Sequence, residues 1–354
     1  MNARQPSSLK KEGLLMTRRS FLQKTGQFML SLGILPLLPN SWQRAMASPI
    51  DPPLPGAYFP PGTKPPATAS FKALIFSDSQ CSNASYDVWK DTLAAGWSRC
   101  PEAAFFADLG DLADNGEAEW QWEGFLSALA PYASHPFVPV MGNHECYGLD
   151  WKNCLPRKYL STFTFPGNGL TTFHGYFYNF TYGPVEFIVL NTQMLELDGF
   201  FGEGHLLKTQ LNWLKNREVK PLPWRVVLMH KDVLAYDEYQ PGQDSAYGFS
   251  DAGRALLPAL EEAGADLILT GHMHTYRRRG PLHDFQTSER GPVCIMSGPA
   301  GNQHYDVPAD PLDKIAIAQP TEPNYLVLSA SPESLSIDCY TTSEKKIDSL
   351  TLTK

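Results

Sequence analysis

The stretch Pro136-Phe137-Val138-Pro139-Val140-Met141-Gly142-Asn143-His144-Glu145 reads as a short buried strand that breaks at Gly142 and delivers three polar side chains together at its end. A carboxamide, an imidazole and a carboxylate side by side offer a neutral oxygen donor for a metal, a proton carrier and a group to orient it. The same letters also suit a plain turn in which Gly and Asn supply special backbone angles. The choice depends on whether other strands end in the same way.

They do. Phe71 to Phe76 reads as a strand ending in Ser77-Asp78-Ser79-Gln80, and Ala103 to Leu109 as one ending in Gly110-Asp111-Leu112-Ala113-Asp114. Trp224 to Met229 leads into His230, and Asp266 to Thr270 into Gly271-His272-Met273-His274. Helical patterns from about Tyr86 to Trp97 and from Glu117 to Leu129 separate the first three strands. This alternation is an α/β signature, and such sheets gather ligand-binding residues at the C-terminal ends of their strands. Asp78, Asp111, Asn143 with His144, His230, and His272 with His274 should therefore be neighbours. Singly, each has an ordinary explanation as a turn residue or a hydrogen-bonded core histidine. Together they form a set of oxygen and imidazole donors suited to a metal centre.

The rest of the chain completes a folded domain. Phe177 to Thr181 and Val185 to Leu190 flank Tyr182-Gly183-Pro184 as a hairpin, and Leu206, Leu207, Gln210, Leu211 and Leu214 mark one helical face. A further helix is expected from Ser250 to Ala263, with Pro258 an irregularity. Further strands are expected near Val293 to Met296, Tyr325 to Ser329, Ser334 to Tyr340 and Leu350 to Thr353.

Composition sets the class. The 354 residues are 43% apolar and 19% charged, the balance of a folded chain with a sizeable core rather than a disordered one. Residues 1–47 read as a targeting segment: Thr17-Arg18-Arg19-Ser20-Phe21-Leu22 precedes a short apolar run, Phe28 to Leu38, and Ala45-Met46-Ala47 supplies a small-x-small cleavage site. The pattern resembles a bacterial twin-arginine export signal. It implies passage through that export machinery to a periplasmic or secreted location, and the apolar run is too short for a membrane anchor. Residues 48–69 contain eight prolines and read as an extended lead to a domain over 70–354.

Removing residues 1–47 takes away seven cations and the single anion Glu12, which moves the net charge from −8 to near −14. Such a surface repels nucleic-acid backbones, so none is expected as a partner. A small phosphorylated substrate remains compatible, because a metal site can oppose the global field. Six cysteines in an oxidising compartment suggest bridges, with Cys146–Cys154 the first pairing expected and Cys294–Cys339 the next.

The five blocks resemble, in order, the motifs of the calcineurin-like metallophosphoesterases, the superfamily that includes purple acid phosphatases. That family's DxH, GDxxD or GDxxY, GNH followed by an acid, strand-end His and GHxH correspond to Asp78-Ser79-Gln80, Gly110 to Asp114, Gly142 to Glu145, His230 and Gly271 to His274. The resemblance implies a two-sheet β-sandwich flanked by helices, with two metal ions (Mn, Fe or Zn) at the strand ends. It implies that Asp78, Gln80 and His274 face one ion, that Asp111 bridges, and that Asn143, His230 and His272 hold the other. His144 would be the catalytic imidazole and Asp114 the residue that orients it. The implied reaction is hydrolysis of phosphate mono- or diesters by a metal-bridging hydroxide. A nucleotidase or nucleotide pyrophosphatase is a second reading, with Trp151, Tyr236, Tyr239 or Tyr247 stacking on a base. A non-catalytic phosphate or metal binder is a third.

Two positions depart from the pattern. Asp114 stands where purple enzymes carry a tyrosine, so no purple colour is expected, and Gln80 replaces the histidine of DxH. The export reading has its own test. Arg18→Lys combined with Arg19→Lys is expected to abolish periplasmic recovery of the protein; normal recovery in fractionated cells would point to another route.

Overall fold

The structure is a computed structural model that describes residues 70–354 apart from 83, 168–169, 236–247, 306 and 318–321. The targeting segment, the proline-dense lead and Tyr236, Tyr239 and Tyr247 lie outside the described residues.

Three apolar runs form the parallel half of one sheet: β1 (Phe71–Phe76), β2 (Phe105–Asp108) and β3 (Phe137–Pro139). Between them run α1 (Asp87–Arg99) and α2 (Glu119–Leu129), each of which buries one face. The chain continues through α3 (Arg157–Thr162) to a hairpin of β4 (Tyr178–Tyr182) and β5 (Val185–Val189), where the Gly-Pro turn was expected to place it. Then come α4 (Met194–Phe201), α5 (His205–Asn216), β6 (Trp224–Leu228), α6 (Asp251–Glu262) and β7 (Leu267–Thr270). Strands β5, β6 and β7 are mutually parallel neighbours.

The remaining elements are strands: β8 (Tyr276–Arg279), the small pair β9 (Leu282–His283) and β10 (Gln286–Thr287), β11 (Val293–Met296), β12 (Asp313–Ile317), β13 (Asn324–Ala330), β14 (Ser334–Thr341) and β15 (Lys346–Thr353). They complete two large sheets, one ordered β15-β14-β13-β1-β2-β3 and the other β12-β8-β11-β7-β6-β5-β4. The sheets pack face to face. Phe71 and Phe105 of the first meet Phe187 and Tyr182 of the second at ring distances of 4.8 to 6.2 Å. The outer face of the first sheet is covered by α1 and α2, whose Trp89 and Phe125 rings stack at 6.0 Å while Trp89 also meets Phe76 of β1 edge-on. This is the expected α/β architecture, a two-sheet sandwich flanked by helices.

The pairing of β8 with β12 was not foreseen. β8 carries the run Arg277-Arg278-Arg279, to which the sequence pattern assigns no element, and Arg277 and Arg279 are buried. Arg279 is paired to Asp313 at 2.7 Å and to Asp232 at 2.5 Å, and Arg277 lies 3.5 Å from Asp313. Buried charge is tolerated only when paired, and the partners come from β12 and from the segment after His230, 34 and 47 positions away from Arg279. No local pattern carries that information.

The disulfide expectation is corrected: all six cysteines are free thiols. Cys146 turns inward, its sulfur 3.9 Å from the Met141 sulfur, although the backbone of Cys154 bonds back to its carbonyl. Cys294 lies on β11 in one sheet and Cys339 on β14 in the other. Cys339 sits against the Asn324 side chain of its own sheet.

Candidate metal centre

Because β1, β2, β3, β6 and β7 present their C-terminal ends on one side, the five polar blocks converge there. Asp78 follows β1 by two residues, Asp111 follows β2 by three, Asn143 follows β3 by four, His230 follows β6 by two, and His272 and His274 follow β7 by two and four. Donor atoms of Asp111, His230 and His272 lie within 4.8 Å of one another, and so do those of Asp78, Asp111 and His274. Asp111 belongs to both groups.

Bringing these side chains inward demands unusual backbone. Asp78, Asp111, His272 and His274 all have φ between 51° and 77°, a left-handed region that non-glycine residues seldom occupy. Such conformations persist only where surrounding structure over-determines them, and they gather at functional sites. The glycines beside them are required by space. A Cβ on Gly142 would stand 2.1 Å from an Asp111 carboxylate oxygen, and one on Gly271 would stand 1.7 Å from the Ser77 hydroxyl.

Hydrogen bonds fix the tautomers. The Nδ1 of His230 lies 3.0 Å from the Leu109 carbonyl, that of His274 2.9 Å from the Gln303 carbonyl, and that of His144 2.6 Å from the Asp114 carbonyl. A carbonyl only accepts, so each Nδ1 carries a proton and each Nε2 faces the site, free to hold either a lone pair for a cation or a second proton. His230 Nε2 is 3.0 Å from Asn143 Oδ1, 3.1 Å from Asp111 Oδ2 and 3.2 Å from His272 Nδ1. His274 Nε2 is 3.4 Å from Asp78 Oδ1. Lone pairs and carboxylate oxygens aimed at a common point repel unless a proton or a cation lies between them.

The electrostatics follow. Burial opposes charge on Asp111, but the imidazoles of His230 and His144 outweigh it and hold the carboxyl below its usual range. Burial likewise opposes the cation on His230, and Asp111 prevails, pushing that imidazole up to about 9. Its neighbour His272 is driven down to about 3 by burial and then by His230. Burial opposes the cation on His144, but Asp111, the Asp114 carbonyl and the nearby carboxylates together outweigh it, and that imidazole is raised.

Gln80 is fully buried in the same cluster, with Nε2 3.4 Å from Asp111 Oδ2 and 3.5 Å from His274 Nε2. Its Oε1 is buried without a hydrogen-bond partner among the described residues. A half-turn of the amide exchanges nitrogen for oxygen at the point the donors surround. Together with the hard and borderline donors around it, this orphaned oxygen fits a pair of divalent ions.

Two sequence expectations change in detail. Asp114 reaches His144 through its backbone carbonyl; its carboxylate lies 3.7 Å away and accepts from Gln303 Nε2 at 3.2 Å. Glu145, read as a partner for the imidazole, accepts instead from four backbone N–H groups. These are Asp111 at 3.0 Å, Leu112 at 2.8 Å, Ala113 at 3.2 Å and Gly142 at 2.7 Å. Burial pushes the Glu145 carboxyl up to about 7, yet both oxygens act only as acceptors, which is the work of the carboxylate form. Trp151 lies beside His144, with ring centroids 6.2 Å apart. No motif pointed to Tyr305, which stacks on His274 at 4.3 Å from the loop after β11.

Glu145→Ala would strand these donors, at ~1–3 kcal/mol for each that water does not reach. A clearly lowered Tm is expected, with metal affinity weakened ~10- to 100-fold because the Asp111 loop loses its anchor. Wild-type Tm and metal content in the purified variant would remove that role.

Comparison with known proteins agrees with this geometry. The calcineurin-like phosphoesterase family model matches residues 71–276. Purple acid phosphatase 15 of Arabidopsis thaliana is 27% identical over 186 residues, which are 51% of this chain and 32% of that protein. Human acid phosphatase type 7 is 29% identical over 222 residues, 54% of this chain and 47% of that protein. The chain thus spans between a third and a half of these relatives. The structure of purple acid phosphatase PPD1 from yellow lupin superposes with a TM-score of 0.63 at 18% identity, covering 82% of this chain and 55% of that one, a likeness of fold. With more than half of its length matched and the motif residues gathered at one sheet end, the chain belongs to the calcineurin-like phosphoesterase family.

Proposed function

We propose that the chain is a metal-dependent phosphoesterase that hydrolyses phosphate esters outside the cytoplasm. The observation that carries this reading is the sharing of Asp111 between two donor clusters with His144 at their edge. Asp78, Gln80, Asp111 and His274 would hold one ion, and Asp111, Asn143, His230 and His272 the other. Such ions, when bound, polarise phosphoryl oxygens, attract a phosphate dianion and lower the pKa of water.

The protein's own part is positioning and proton transfer. Asp111 Oδ1 accepts the His144 backbone N–H at 2.9 Å, so the imidazole is registered against the shared carboxylate. Its Nδ1–H is held by the Asp114 carbonyl, which leaves Nε2, 3.9 Å from Asp111 Oδ2, as the nitrogen that meets substrate. A proton on that nitrogen would stand within reach of the departing alkoxide. A binder that does not turn over its ligand has no use for this arrangement. Location outside the cytoplasm is supported by the twin-arginine pattern of residues 17–22. No helix among the described residues is long and apolar enough to cross a membrane.

His144→Ala is expected to lower turnover of p-nitrophenyl phosphate, its diester or nucleotides ~10²- to 10⁴-fold with metal content nearly unchanged. Asp114→Asn keeps the carbonyl and should cost far less. Loss of an ion from His144→Ala would overturn the proton-carrier role, and metal-loaded wild type inert on all three esters would sink the enzymatic reading.

A glutamine oxygen is neutral and a weaker zinc donor than imidazole. Metal-stripped protein is therefore expected to regain more activity with Mn²⁺ or an iron-containing pair than with zinc alone, and Gln80→His to tighten zinc. Equal zinc affinity in Gln80→His and wild type would show that Gln80 is not a ligand.

A further inference from the structure

Beside His144 the chain from Cys146 to Cys154 folds back on itself. Cys154 N–H donates to the Cys146 carbonyl at 2.7 Å, Gly148 N–H to the Lys152 carbonyl at 2.8 Å, and Tyr147 stands opposite Asn153. The tip closes with Trp151 N–H on the Gly148 carbonyl at 2.8 Å. The turn is also fastened to the loop that follows Asp111: the Asn115 amide donates to the Gly148 carbonyl at 2.5 Å, and Leu149 N–H to Glu117 at 3.4 Å.

At that tip Trp151 adopts φ 59°, and the residue is 57% exposed. The indole ring stands perpendicular to the His144 imidazole at 6.2 Å, with the Tyr147 ring 5.4 Å from the same imidazole. A large apolar ring held in water, on strained backbone and on a fastened turn, is not explained by core packing. Tyr305, the other exposed aromatic here, is committed differently. It lies against His274 at 21° with its hydroxyl on Gln303.

We propose that Trp151 forms the leaving-group subsite, stacking on a planar aromatic group attached to the ester oxygen. The preferred substrates are then phosphate esters of aromatic alcohols, whose ring is bonded to the ester oxygen, rather than of small alkyl alcohols. The inference rests on the placement of His144 at the leaving group, because the ring next to that imidazole is the one such a group meets. An aromatic face suits it, since ring stacking tolerates any planar partner.

The test compares phenylphosphonate with methylphosphonate, which are not hydrolysed, by calorimetric binding to the metal-loaded full-length protein. In parallel, kcat/KM is measured for phenyl phosphate and an alkyl phosphate. Wild type should favour the phenyl compound in both assays. Trp151→Ala should cut that preference about 10-fold, as expected for loss of one aromatic stacking partner, while Trp151→Phe keeps most of it. If Trp151 only props up His144, the alanine variant lowers phenyl and alkyl compounds together and the ratio stays fixed, which overturns the proposal. Equal affinity of wild type for the two phosphonates overturns it as well. Should neither ester be hydrolysed, the phosphoesterase reading fails on its own, and the phosphonate ratio still decides the role of Trp151.

Discussion

The Asp111 carboxylate is the constraint around which this molecule is arranged. One oxygen accepts the His144 backbone N–H, and the other lies among His230, Gln80 and His144. A buried carboxylate in that company needs imidazole and cation partners at close range and a backbone that does not shift. Glu145 meets the second need by tying residues 111, 112 and 113 to Gly142, so the second and third strand ends form one rigid unit. The tetrad at the end of β3 therefore places Asn143 and His144 at the donor cluster and uses Glu145 to hold the backbone around it.

Rigidity of that kind has a cost, and the fold distributes it. Four of the clustered side chains sit in the left-handed region. That conformation is unfavourable for each of them in isolation and persists because the sandwich beneath over-determines the loops. Asp78 shows how: its two oxygens accept His272 N–H at 2.9 and 3.0 Å, and Ser77 donates to it at 2.7 Å, which joins the ends of β1 and β7 across the two sheets. The aromatic seam of Phe71, Phe105 and Phe187 keeps those sheets in register.

The same logic extends outward to the buried arginines of β8. Asp232 follows His230 by two residues and pairs with Arg279, so the end of β6 that carries His230 is anchored to a strand three places away in its sheet. Charged residues thus brace the site from the second sheet, while the backbone N–H groups on Glu145 brace it from the first.

Most of the architecture was legible because it rests on local periodicity and punctuation. Apolar runs closed by Gly-Asp, Gly-Asn-His and Gly-His-x-His mark strands whose ends carry donors, and their order along the chain sufficed to group them. Whatever depends on distant partners was not legible. The three arginines of β8 carry no strand signal of their own, and Asp232 and Asp313 pair with them only in the folded chain. Glu145 beside His144 looks like an imidazole partner until the fold places four N–H groups within its reach. Cys146 and Cys154 look like a bridge until Cys146 turns to Met141. The sequence by itself determined which donors exist and at which strand ends they emerge, because side-chain chemistry and strand length are local. Only the tertiary structure decided which carbonyl sets each imidazole's tautomer, that Gln80 joins Asp111 and His274, and that Trp151 stands beside His144: His230 meets the Leu109 carbonyl and Gln80 meets His274 only when the two sheets close, and the turn bearing Trp151 is held by the loop that follows Asp111.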